Sequence, residues 1–168
     1  MLKKLFIALA VALPLFAAAQ TPKFGTVNAQ EIISAMPEFT EAQNTINAAS
    51  KQYEDEYAKL NEEIQKLYAE YQQLENDPNT PQSIKERRIQ DISDRNTKAQ
   101  QFVQTAEQDL QRQQAQLMAP IQEKMINAIK TVGANNNFTM IFPYEVPAYV
   151  SAEVIDVTAL VKTQLGIQ

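Results

Sequence analysis

Two long stretches without a helix breaker, Glu38 to Asp77 and Gln82 to Ala119, flank the turn-forming cluster Asn76-Asp77-Pro78-Asn79-Thr80-Pro81. Proline removes a backbone donor and glycine costs backbone entropy, so their exclusion from both runs predicts two long helices folded back at 76–81. The apolar spacing agrees. On the outgoing run Ile46, Ser50, Tyr53, Tyr57, Leu60, Ile64, Leu67, Tyr71 and Leu74 alternate steps of four and three. An average step of about 3.5 keeps one stripe facing a partner, as in a left-handed coiled coil. The return run repeats the rule with Ile89, Ile92, Asn96, Ala99, Val103, Ala106, Leu110, Gln113 and Leu117. It slips near Pro120 and resumes at Ile121, Met125, Ala128 and Val132.

Folding at Asn79 and Thr80 sets Tyr53 opposite Ala106, Leu60 opposite Ala99 and Ile46 opposite Gln113. Large side chains then face small ones, so the helices can interdigitate closely within one chain. From Glu41 to Glu75 such a helix reaches roughly 50 Å, which no compact core of this size holds. Residues 41–117 are therefore expected to form a projecting antiparallel arm with its turn at 76–81. Tyr53, Tyr57 and Tyr71 lie on the seam as packing residues. Tyr68, Ile84 and Phe102 sit beside it and are the candidates for an exposed apolar lining. Pro120 predicts a kink or boundary near Ala119 and is the hinge candidate.

The ends read differently. Lys23-Phe24-Gly25-Thr26-Val27-Asn28 has the content of a short strand, and Asn28 with Glu31 three residues on reads as a helix cap. Phe138-Thr139-Met140-Ile141-Phe142 is a second strand candidate and Ala148-Tyr149-Val150 a third, with Pro143 to Pro147 turning between them. Asp156 is placed to cap a last helix, Val157 to Leu165, closed by Gly166. Residues 20–40 and 118–168 thus make a small β body. A lone three-stranded sheet exposes two edges and an apolar face, so self-association is expected to cover them. Phe24, Val27, Phe138, Met140, Phe142 and Tyr149 are the candidate oligomer residues. The fold class is α+β, an oligomeric β body carrying a helical hairpin arm.

Residues 1–19 carry Lys3 and Lys4, an apolar run from Leu5 to Phe16 and then Ala17, Ala18 and Ala19, the order of a cleavable signal peptide. The run is shorter than a spanning helix and contains Pro14, and no lipobox cysteine follows it. An exported, periplasmic protein without a transmembrane or lipid anchor is expected. Cleavage removes two lysines and no acid, taking the net charge from −5 to −7.

The chain has no cysteine and no histidine, which removes thiolate nucleophiles, imidazole-based catalysis and the usual zinc ligands. No Gly-rich phosphate loop or S-x-x-K motif is present. Catalysis, a cofactor and a metal are not expected, and the acidic charge disfavours nucleic acid.

The order of these segments resembles the Skp/OmpH family of periplasmic chaperones across essentially the whole mature chain. The resemblance rests on the Lys23 to Asn28 strand, Gln30-Glu31-Ile32-Ile33, Met36-Pro37-Glu38, the long hairpin, Ala119-Pro120-Ile121-Gln122 and Asp156-Val157-Thr158. It implies a homotrimer whose strands form a common β-barrel, with three arms enclosing a cavity. It also implies an ATP-independent holdase for unfolded outer-membrane β-barrel proteins. A coiled-coil spacer or adaptor of the cell envelope is the alternative.

Basic arms in the family are linked to clients and lipopolysaccharide, but here the outgoing arm has eight acids against three lysines. Lys85, Arg87, Arg88 and Arg95 form a small basic tip patch diluted by Glu86, Asp91 and Asp94. A solvated face laced with ion pairs is favoured over a lipopolysaccharide site. N-terminal sequencing of the exported protein is expected to begin at Gln20, or one residue later; a start at Met1 would refute cleavage.

Overall fold

A computed structural model describes residues 21–167, so the signal peptide expected over 1–19 lies outside the described residues. In chain order the elements are β1 (Phe24–Val27), α1 (Ala29–Ala35), α2 (Pro37–Asn76), α3 (Gln82–Asn135), β2 (Met140–Pro143), β3 (Ile155–Asp156) and α4 (Thr158–Leu165).

The local chemistry sets most boundaries. Asn28 Oδ1 accepts from the Glu31 N–H at 3.0 Å while the Asn28 amide donates to the Glu31 carboxylate, which satisfies an orphan donor at the start of α1. Met36 is extended (φ −75°, ψ 129°) because Pro37 follows it, and Pro37 then opens α2, where its missing N–H costs nothing. At the far end the Asp77 carboxylate accepts from the Asn79 N–H (2.9 Å) and the Thr80 hydroxyl (3.0 Å). Those two donors, the backbone one foremost, hold the Asp77 carboxyl below its ordinary range. Lys85 Nζ donates to the Glu75 and Asp77 carbonyls, closing the C-terminus of α2 from the start of α3.

The two long helices run antiparallel, and the stripe read from the heptads is the covered one. Ile64, Ile92, Ala99 and Ala106 are buried, with Ile46, Tyr53, Leu60, Leu67, Tyr71, Val103 and Leu110 half-buried around them. Ion pairs Glu63–Arg95 (3.0 Å) and Glu70–Arg88 (3.3 Å) cross the hairpin within one residue of the expected register. Two stripe members depart from expectation. Tyr57 is 39% exposed and Ile89 is 50% exposed, so neither is sealed in the seam.

Pro120 is neither a boundary nor the end of the return helix. α3 continues through it to Asn135, because both Pro120 and Gln116, whose carbonyl loses its partner, are exposed and water can take that acceptor. Arm and body therefore share one unbroken helix.

The body sheet has the order β2-β1-β3, and both outer strands run parallel to β1. Phe24 pairs with Met140 and Gly25 with Ile155. The third strand is not Ala148-Tyr149-Val150, which is irregular; it is Ile155–Asp156. Val157, fully buried, anchors that run in the core and donates its N–H to the Thr26 carbonyl at 2.8 Å. Tyr149, 82% exposed, has no pleated surface to pack on. Pro143, expected in the turn, is the last residue of β2, an edge strand where the missing donor is tolerated.

One sheet face packs on the helices through Val27, Ile32, Met36, Ala42, Ile121, Met125, Val157 and Val161. Gly25 leaves little room for a side chain, since an added Cβ would lie 3.0 Å from the Phe138 ring and 3.2 Å from the Ile155 carbonyl. α4 starts at Thr158, one residue later than expected. Asp156 accepts from its N–H at 2.9 Å, and Gly166 (φ 72°) ends the helix in the left-handed region.

Glu38, in the first turn of α2, pairs with Lys124 on α3, one turn past Pro120. That donation, then the Glu38 backbone N–H, lowers its carboxyl pKa. A carboxylate depressed in the folded state stabilises above its ordinary value of 4.5 and loses that contribution as pH falls through the folded value. Urea titrations between pH 7 and pH 3 are expected to show a steeper acid loss for the native chain than for Glu38→Gln. Ile32→Ala, which empties a fully buried site, is expected to cost about 2–5 kcal/mol in the same assay.

Candidate functional site

Among the described residues the distinctive features are surfaces on the arm and on the outer face of the sheet. Among the described residues no group of three or more acids is placed to hold a metal, and no helix is long and apolar enough to cross a membrane.

The tip cations do not form one free patch. Lys85 is committed to the α2 carbonyls. Arg88 bridges Glu70 (3.3 Å) and Asp91 (3.7 Å), and Arg95 pairs with Glu63 (3.0 Å). Arg87, like Lys85, forms no ion pair among the described residues. The groove of about 450 Å³ beside these pairs is lined by Lys66, Arg88, Arg95 and Lys98 against Glu63, Asp91 and Asp94. Acid and base nearly cancel along it, and each exposed pair contributes little stability.

The three lining candidates separate. Tyr68 is 43% and Ile84 48% exposed, both available on the surface. Phe102 is half-buried, and its ring lies edge-on against Tyr53 with centroids 5.9 Å apart. Part of its apolar area is thus engaged within the hairpin, and it is less open than Tyr68 and Ile84. Tyr53 in turn donates to Asp109 at 3.0 Å, and that hydrogen bond raises the phenol pKa. Sequence reasoning missed Tyr57 and Ile89 as surface residues. Both stand on the heptad stripe, where the spacing alone predicts burial.

The body candidates separate in the same way. Val27 is 3% exposed and belongs to the chain's own core, while Phe138 packs on Gly25 beneath the Lys23 ammonium, 4.2 Å from the ring centroid. Both therefore make packing contacts within the chain itself. Phe24, Met140 and Tyr149 are exposed, and Phe142 is half-buried. Phe24, Phe142 and Tyr149 join Thr26, Val146, Pro147, Val150 and Val154 around a cavity of about 320 Å³ on the outer sheet face. Tyr144 and Val146 are also more than half exposed, so apolar side chains cluster on this face.

Comparison with curated proteins gives no match. A family model described as outer membrane protein (OmpH-like) matches residues 23–165, a span that holds β1, the whole hairpin and the helix after β3. The chain belongs to the OmpH-like family.

Proposed function

We propose that the protein is an ATP-independent periplasmic holdase that, as a homotrimer, encloses unfolded outer-membrane β-barrel proteins and prevents their aggregation. The observation that carries the reading is one molecule holding both parts of a cage. A hairpin α2 arm of roughly 60 Å leaves a small body whose outer sheet face is apolar and unpaired. At family level these proteins are periplasmic chaperones of outer-membrane proteins, and that membership supports the client class.

The physical logic follows from the clients. A β-barrel strand outside its membrane alternates apolar and polar residues and presents unpaired N–H and C=O groups, a template for aggregation. Walls that keep two such chains apart suffice, and no bond need be broken or made. The outer edges of β2 and β3 and the Phe24–Tyr149 face are the same kind of liability in the chaperone's own body. Copies joined through that face bury it and aim the arms to one side.

Light scattering of the mature protein is expected to give three chains per particle. The double variant Phe24→Asp and Tyr149→Asp is expected to raise the subunit dissociation constant tenfold or more, about 1.4 kcal/mol, with helicity retained. A native protein that is monomeric at all concentrations would overturn the cage. Diluting a urea-unfolded eight-stranded barrel protein into the native chaperone should leave the client soluble without nucleotide. Unchanged turbidity would instead favour a spacer role.

A further inference from the structure

Each arm helix has two flanks beside its seam stripe, and the cross-arm ion pairs show how the flanks meet. Glu63 and Glu70 directly precede the stripe residues Ile64 and Tyr71, and Arg88 and Arg95 directly precede Ile89 and Asn96. The pairs Glu63–Arg95 and Glu70–Arg88 join these rows, so the charged flank of one helix faces the charged flank of the other. At about 100° per residue, positions directly following the other stripe residues lie on the opposite side of the seam. There stand Asn61 and Tyr68 on α2, and Ser93 and Gln100 on α3.

This second flank carries no charge along its middle. The next row outward, positions 58, 65 and 72 on α2 and 90, 97 and 104 on α3, is uncharged too. Tyr57 and Ile89 lean out beside it, so three large side chains, with Tyr68, are 39–50% exposed along one strip. Among the described residues neither Tyr57 nor Tyr68 has a hydroxyl partner, whereas the Tyr53 and Tyr71 hydroxyls bond Asp109 and Glu75. Glu54 and Glu107 bound the strip toward the body, and Glu75 and Glu86 bound it at the tip.

We infer that this uncharged flank is the client-facing surface of the arm and takes extended segments of unfolded membrane β-strands, while the ion-paired flank faces solvent. The inference rests on the holdase reading. Lipid-facing strand positions are uncharged, and laying them on the ion-paired flank would strip water from its charges at a cost. Tyrosine rings and Ile89 offer apolar contact, and the amide and hydroxyl side chains offer partners to unpaired strand backbone. From Tyr57 to Tyr68 the strip runs about 16 Å, the length of about five extended residues and half a membrane strand. Carboxylates at both ends repel anionic phosphate, which argues against a lipid headgroup as occupant.

The native chain lacks cysteine, so single sites can carry a benzophenone maleimide. With a urea-unfolded eight-stranded barrel protein as client, labels at Ser93→Cys and Gln100→Cys are expected to capture at least fivefold more client than labels at Lys66→Cys and Lys98→Cys. Tyr68→Glu with Ile89→Glu is expected to weaken client binding about tenfold at unchanged helicity. Equal capture from both flanks, or capture of a second copy in place of client, would overturn the face assignment while native suppression of aggregation still upheld the holdase. A native chain that fails to suppress aggregation would remove the holdase reading itself.

Discussion

The parallel pairing of β1 with strands near the other end of the chain is the constraint on which the rest depends. Joining Phe24 to Met140 would close a very long loop if the intervening chain were flexible, and that closure carries an entropic cost. Here the intervening chain is the hairpin. Its turn at Asp77 to Pro81 returns α3 to the place where α2 began, so the strands meet because the rods already match. Asn28, which donates its N–H to the Thr158 hydroxyl at 2.9 Å, links the exit of β1 to the entrance of α4 and completes the closure.

Burial along the molecule comes in two blocks. The body core reaches Ala42 on α2 and Ile121 on α3, and the outer arm is sealed at Ile64, Ile92, Ala99 and Ala106. Between them the seam holds half-buried Ser50 and Gln113, with the Tyr53–Asp109–Arg112 cluster beside it. Polar positions lower the gain from burial but fix register, since only one alignment satisfies them. Asn96 solves the same problem within its own helix, donating to the Ile92 carbonyl at 2.9 Å.

What was legible in the sequence was whatever depends on local spacing. The heptads located the seam, the Asp-Pro-Asn-Thr-Pro cluster located the turn, and Asn28 with Glu31 located a cap. What depends on competition between segments was not legible. Ala148-Tyr149-Val150 has strand composition, yet Ile155 and Asp156 take the free edge of β1 because Val157 beside them is buried. Pro120 reads as a breaker, yet packing of Ile121, Met125 and Ala128 carries the helix past one lost hydrogen bond. On the surface, spacing placed Tyr68 correctly beside the seam. It could not say that Phe102 would turn to Tyr53, or that the tip arginines would be shared with Glu63 and Glu70.

The heptad match between the rods has an evolutionary corollary. Excising one seven-residue unit from α2 together with its facing unit from α3 shortens the prong by about 10 Å and leaves every remaining contact in phase. Reach is thus a quantity that insertion and deletion can change in discrete, register-preserving steps without disturbing the foundation. Such a scaffold can be rescaled in length by paired indels alone.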